Sequence, residues 1–167
     1  MTTLRGLYAI SDHSKPHQLA QQVEHAILGG AKVIQYRDKS HDPAKRLAEA
    51  QGMLAICQQY QVPLLINDDV ALAKKIGAAG VHLGINDPSL NQARELLGKQ
   101  AIIGISCYNQ LSLAKQAEAA GASYVAFGRF FSSNSKPQAV QANVGLLQQA
   151  KAQLSCPIVA IGGITAQ

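Results

Sequence analysis

Apolar residues gather in short runs that recur along the chain, at 7–11, 32–35, 63–66, 80–83, 102–105, 124–127 and 157–161. Each run is four or five residues rich in Val, Ile and Leu, the size and character of a strand buried on both faces of a parallel sheet. Between the runs the period changes. Residues 17–28 carry Leu19, Ala20, Val23, Ala26 and Ile27, residues 43–60 carry Leu47, Ala50, Leu54 and Cys57, and residues 110–120 carry Leu111, Ala114, Ala117 and Ala120. That spacing repeats every helical turn and predicts helices with one buried side. The punctuation agrees. Asp42-Pro43 reads as an N-cap followed by proline at the first helical position, and Asp87-Pro88-Ser89 opens the next helix similarly. Gly29-Gly30, Gly77 and Gly121 stand where helices would end.

Seven strands thus alternate with six helical segments, which predicts a parallel sheet covered by helices. A doubly wound sheet and a barrel are the two closures available. The first strand ends Ile10-Ser11-Asp12-His13, without the glycine-rich loop a doubly wound sheet usually offers there. Polar residues instead follow nearly every strand, as a barrel needs when its site draws on many strand ends. The expectation is an α/β chain of the TIM (β/α)8 barrel class. After the seventh strand come only Gly162 to Gln167, so the chain as given is expected to be a barrel truncated after that strand.

Composition narrows the picture. The 167 residues are 47% apolar, enough for one sizeable core, and predict a single domain over 1–167. The net charge is +5, but the basic residues are scattered, with no run of Lys and Arg interleaved with aromatics. Nucleic acid is therefore not an expected partner, whereas anionic small molecules are compatible. Cys57, Cys107 and Cys156 form no C-x-x-C pair and no disulfide framework, which fits a reducing cytoplasm. No leader pattern or membrane-spanning run is read from the sequence, so neither membrane nor export is expected.

Several polar groups could carry chemistry. Gln35-x-Arg37-x-Lys39 follows the second strand, and alternate residues of an extended stretch share a face. An amide, a guanidinium and an ammonium together suit a multiply charged phosphate; the bland alternative is loop charge at a strand end. Asn67-Asp68-Asp69 follows the third strand and Asp87 the fourth. Two strand-end carboxylates can share magnesium, a hard cation that takes oxygen ligands. Alternatively Asp69, and in part Asp87, cap the helices that follow, which leaves Asp68 the better ligand candidate. Residues 128–137 form a hydroxyl-rich loop ending in Lys136-Pro137 that could fold over a substrate or simply be flexible. Gly162-Gly163 resembles half of a phosphate cradle. The five histidines show no metal-ligand spacing, His82 reads as a core residue or a site residue, and no base is evident for Cys107.

Taken together, the motifs resemble thiamine-phosphate synthase. The segments that carry the likeness are G-L-Y-A-I-S-D, G-G-A-K-V-I-Q-Y-R-D-K, P-L-L-I-N-D-D, G-V-H-L-G-I-N-D, I-I-G-I-S-C-Y, G-A-S-Y-V-A-F-G-R-F-F-S-S-N-S-K-P and P-I-V-A-I-G-G-I-T, in order along essentially the whole chain. The resemblance implies coupling of an aminopyrimidine methyl pyrophosphate to a thiazole phosphate, giving thiamine phosphate and pyrophosphate. It implies that Gln35, Arg37, Lys39 and Asn67 hold the pyrimidine substrate and its pyrophosphate. Tyr8 would line the pyrimidine pocket, and Lys136 would reach the pyrophosphate from the loop. Ser106, Ser133, Ser135 and Gly163 would surround the phosphates, while Asp68 and Asp87 would bind magnesium. Arg37, Lys39 and Lys136 would be the catalytic cations. The family's pairing into dimers leaves a homodimer open.

Departures from the family pattern mark open points. Ser133 and Ser135 replace threonines, Ile85-Asn86-Asp87 replaces Gln-Glu-Asp, and Cys107-Tyr108 stands where Thr or Cys and then His are common. A related branch of the fold is a thiazole phosphate tautomerase, and an inactive barrel acting as a binding protein is a third reading. The retained Lys39, Asp68, Asp87 and Lys136 favour the synthase. An eighth-strand loop helps hold the thiazole phosphate in the family, so the chain as given is expected to have poor activity.

Overall fold

The computed structural model describes residues 4–11, 18–132 and 140–165. The elements run β1 (Leu7–Ile10), α1 (Leu19–Leu28), β2 (Ala31–Tyr36), α2 (Pro43–Gln59), β3 (Leu64–Asn67), α3 (Val70–Ile76) and β4 (Gly80–Leu83), followed by α4 (Leu90–Leu97) and β5 (Ile102–Tyr108). Then come α5 (Leu111–Ala119), β6 (Tyr124–Phe127), α6 (Val144–Gln153) and β7 (Ile158–Ala160). The alternation expected from the apolar runs is present throughout. By contacts the chain forms two compact units, Met1–His82 with Gln92–Ile102, and Leu83–Asn91 with Ile103–Gln167.

In the first unit the strands pair in parallel and in chain order. Ile10 lies opposite Gln35, Tyr36 opposite Ile66, and Asn67 opposite His82. Leu64, Leu65 and Ile66 are consecutive and all buried, so β3 is covered on both faces, which is why its sequence does not alternate. Helix α1 buries Leu19, Val23 and Ile27, one side of three successive turns. Helix α2 buries Ala50, Met53 and Cys57 in the same manner. Its start is as the sequence predicts: the Asp42 side chain accepts from the Lys45 N–H at 2.9 Å, with Pro43 in the first turn.

In the second unit β5, β6 and β7 pair in parallel, again in chain order. All four residues of β6 are buried. Val125 and Phe127 pack with Ala114 and Ala117 of α5 and with Leu146 and Ala150 of α6. The Glu118 carboxylate of α5 accepts from the Ser155 and Cys156 N–H groups, both at 2.7 Å. Those bonds tie α5 to the entry of β7 and hold the Glu118 carboxyl below its usual range, the Cys156 N–H most of all.

Most strand ends fall within one residue of the sequence expectation, and one strand runs well past it. The apolar run predicted a strand ending at Ile105, yet β5 continues to Tyr108. Ser106 and Tyr108 remain paired with Ala126 and Phe127, with an irregularity between them that absorbs Cys107. The ladder is satisfied by backbone groups, so polar side chains at the strand end do not terminate it. No helix among the described residues is long and apolar enough to cross a membrane.

Candidate functional site

The first unit brings six of the sequence-predicted residues onto the ends of neighbouring strands. Gln35, on β2, is only 2% exposed, and a buried amide needs partners. Its Nε2 donates to the Tyr8 hydroxyl of β1 at 2.8 Å. Just beyond, the Ser11 N–H donates to the Gln35 carbonyl and the Arg37 N–H donates to the Ser11 hydroxyl, each at 2.9 Å. The backbone leading into Arg37 is therefore stitched to the end of β1. Arg37 is half-buried, whereas the Lys39 side chain is 59% exposed.

Lys39 donates to the Asp68 carboxylate, forming an ion pair across the ends of β2 and β3. Asp68 sits at φ 64, the left-handed region that costs most residues energy and that Asp tolerates better than most. The turn is held by the Asp68 N–H donating to the His82 carbonyl at 2.9 Å and the Asp69 N–H donating to the Asn67 carbonyl at 2.8 Å. That reversal separates the work of two adjacent carboxylates. Asp69 caps α3, accepting from the Leu72 N–H at 2.8 Å, and pairs with the Arg46 guanidinium at 2.9 Å. Asp68 pairs instead with Lys39. The sequence reading of Asp69 as a cap therefore holds, and the buried His82 is a backbone partner of Asp68.

The second unit holds Asp87, Ser106 and Gly163. The Asp87 carboxylate accepts from the Gly84 N–H at 2.6 Å, closing the loop after β4 on itself. The Tyr108 hydroxyl accepts from the Ile85 N–H of the same loop at 3.5 Å, a long contact. Ser106 lies within β5 opposite Ala126, not beyond the strand as its polarity implied. Gly163 has φ 66, and a Cβ there would meet the Ser132 carbonyl oxygen at 2.3 Å; one on Gly162 would meet Arg129 Cβ at 2.4 Å. The Phe131 N–H donates to the Gly162 carbonyl at 2.9 Å. Close approach of the segment after β6 thus requires this glycine pair on packing grounds alone. Ser133, Ser135 and Lys136 lie outside the described residues.

Cys107 is fully buried, and burial pushes its thiol up to about 12, which suits a core residue and not a nucleophile. Sequence reasoning missed Asp38, Lys45, Tyr36 and Glu49, which form a charged network beneath the Arg37–Lys39 segment. The available signal was Asp38 itself, the odd position between two candidate cations.

Asp68 and Asp87 offer hard oxygen donors of the kind magnesium takes. Among the described residues no group of three or more His, Cys, Asp or Glu could form an all-protein cage. Magnesium commonly uses one or two carboxylates, waters and substrate phosphates, so these residue types fit it.

Comparison with known proteins gives a consistent answer. A family model described as thiamine monophosphate synthase matches residues 7–167. Thiamine-phosphate synthase of Nitrosococcus oceani is 56% identical over 166 residues, covering 98% of this chain and 76% of the relative. The Saccharophagus degradans enzyme of the same name is 53% identical over 162 residues, covering 95% of this chain and 75% of its own. Among solved structures, thiamine phosphate pyrophosphorylase from Pyrococcus furiosus matches with a TM-score of 0.83 at 30% identity, over 95% of this chain and 75% of that one. These likenesses carry the α/β barrel class expected from the sequence, and they favour the synthase over the tautomerase and the inactive binding protein.

Proposed function

The chain belongs to the thiamine monophosphate synthase family and is a transferase that forms thiamine phosphate, and on that premise we propose how its residues divide the work. Gln35, Arg37, Lys39 and Asn67, with Lys136, bind the pyrimidine substrate through its pyrophosphate, and Tyr8 lines the pyrimidine pocket. Ser106, Ser133, Ser135 and Gly163 serve the phosphates. Asp68 and Asp87 hold magnesium, which when bound neutralises charge on the leaving pyrophosphate. The chain acts in the cytoplasm on these two phosphorylated small molecules, and a homodimer is its proposed assembly.

The observation that carries the reading is the pairing of Lys39 with Asp68 across the ends of β2 and β3, with the Gln35–Tyr8 hydrogen bond joining β2 to β1. A charged leaving group needs donors, and Lys39 supplies one at the strand ends. In the proposed reaction the pyrimidine methylene–oxygen bond breaks first, and its electron pair leaves with pyrophosphate. Arg37, Lys39 and Lys136 stabilise the charge developing there. The pyrimidine amino group delocalises the cation, and the thiazole nitrogen lone pair closes the new carbon–nitrogen bond. No strong base or nucleophile is required of the protein in this reaction.

Initial rates of thiamine phosphate and pyrophosphate formation test this assignment, with magnesium titrated after chelation and with Arg37→Met and Lys39→Met beside the parent chain. The reading requires a magnesium-dependent rate and a large loss in both variants. Undiminished turnover in either would remove that residue from the site.

A further inference from the structure

The segment carrying Arg37 and Lys39 is held from beneath by a carboxylate pointing the other way. The Asp38 side chain is 5% exposed, against 59% for Lys39 next to it. One Asp38 oxygen accepts from the Ser40 N–H at 2.8 Å. The other accepts from the Ser40 hydroxyl at 2.8 Å and from Lys45 Nζ at 3.0 Å. The Tyr36 hydroxyl lies 3.5 Å from Asp38 and 2.8 Å from Glu49, so its single proton goes to Glu49. Lys45 Nζ also lies 3.8 Å from Glu49, one turn further along α2. Both Lys45 and Glu49 belong to α2, whose start is fixed by the Asp42 cap on the Lys45 N–H.

The contacts close a clip. From Asp38 the chain runs through the Ser40 turn to the Asp42 cap, enters α2, and returns through the Lys45 side chain to Asp38. Burial and the Glu49 hydrogen bond push the Tyr36 phenol well up, so it remains a donor at working pH. The Asp38 contact raises Lys45, which stays charged. Arg37 is half-buried and its N–H is held by Ser11, but from Asp38 to Ser40 the segment has little apolar burial to order it and without the clip would sample more orientations.

We propose that Asp38 is a positioning residue for the pyrophosphate-binding cations: its buried carboxylate, anchored by Lys45 of α2, fixes the backbone between Arg37 and Lys39 so that both side chains meet the anion. This rests on the proposed role of Arg37 and Lys39. Asp38 acts through Arg37 and Lys39 and does not itself touch substrate. It reduces the ordering cost at the moment of binding, the usual gain from preorganisation.

The test uses the full chain with Asp38→Asn, Asp38→Glu and Lys45→Met. It measures inorganic pyrophosphate binding by calorimetry with magnesium, KM for each substrate, and Tm. Asp38→Asn keeps an acceptor for Ser40 but loses the ionic link. We expect it and Lys45→Met to weaken pyrophosphate binding and raise KM for the pyrimidine pyrophosphate by about tenfold or more, as small misplacements do. KM for the thiazole phosphate should stay within about twofold, and Asp38→Glu should recover part of the loss by restoring the carboxylate. The double variant should be little worse than either single one, because both cut the same link. An equal rise in both KM values, or losses that follow Tm, would reduce Asp38 to a stability role and overturn the proposal. If Asp38→Asn does not fold, Lys45→Met, on the more exposed side of the link, carries the same test. Arg37→Met and Lys39→Met run in parallel. If they leave pyrophosphate binding intact, the pyrophosphate assignment fails and the clip with it. If they weaken binding while Asp38→Asn and Lys45→Met do not, only the clip fails.

Discussion

Lys39 and Asp68 pair across the ends of β2 and β3, with 59% and 26% of their side chains exposed. An ion pair this open to solvent is worth at most about 1 kcal/mol to the fold. Its value must lie elsewhere. Lys39→Met should change the urea unfolding free energy by less than about 1 kcal/mol. Turnover should fall by about a hundredfold or more, the size of loss seen when a transition-state donor is removed. A rate within a few-fold of the parent would show that the pair is ordinary surface charge.

Asp69 presents the opposite balance. It caps α3 and pairs with Arg46, whose buried Nε has no hydrogen-bond partner among the described residues. Asp69→Ala should cost about 1–2 kcal/mol in urea unfolding, and Asp69→Asn should recover much of it because Asn is as good an N-cap. KM values measured well below the transition should barely move. Two adjacent carboxylates would then separate cleanly, one affecting activity and the other stability.

Gly163 can be compared with Gly77. Both are left-handed, at φ 66 and φ 70, but a Cβ on Gly77 meets nothing within 4 Å while one on Gly163 meets the Ser132 carbonyl at 2.3 Å. Gly77→Ala should cost only the backbone preference, about 1 kcal/mol. Gly163→Ala should cost clearly more and raise KM for a phosphate-bearing substrate, since the segment after β6 must shift. Equal effects in thermal melts would mean that the close approach yields readily.

The thiols set an alkaline limit. Burial pushes Cys57 up to about 11 and Cys107 up to about 12, from an ordinary value of 9.0. The native chain keeps these protons after the unfolded chain has lost them. Their contribution is therefore intact below pH 9.0 and declines as pH rises towards 11 and 12. Urea midpoints should fall between about pH 8 and about pH 10.5, less steeply in Cys57→Ala, and Ellman's reagent at about pH 8 should label both thiols far faster in denaturant. A midpoint independent of alkaline pH would contradict the burial argument.

How much of the site was legible depended on how local its cause was. Asp42 and Asp69 could be read as caps because a cap contacts a backbone group three residues away. Gln35, Arg37 and Lys39 were legible as a donor set from their spacing. The extension of β5 through Ser106 and Cys107 was not, because backbone pairing with β6 overrides side-chain polarity. Asp38 was passed over because a single carboxylate between two cations reads as charge balance until its burial is known.

The sequence by itself determined the alternation of strands and helices, since apolar runs and helical periodicity act over a few residues. It also carried the residue types that mark the family. The tertiary structure decided which of those residues meet. Gln35 reaches Tyr8 across 27 positions and Lys39 reaches Asp68 across 29, and both contacts exist only because parallel strands of the first unit pair in one register. A slip of one residue would turn each side chain to the other face. Register is set by the packing of whole strands and helices, which no short stretch of sequence displays.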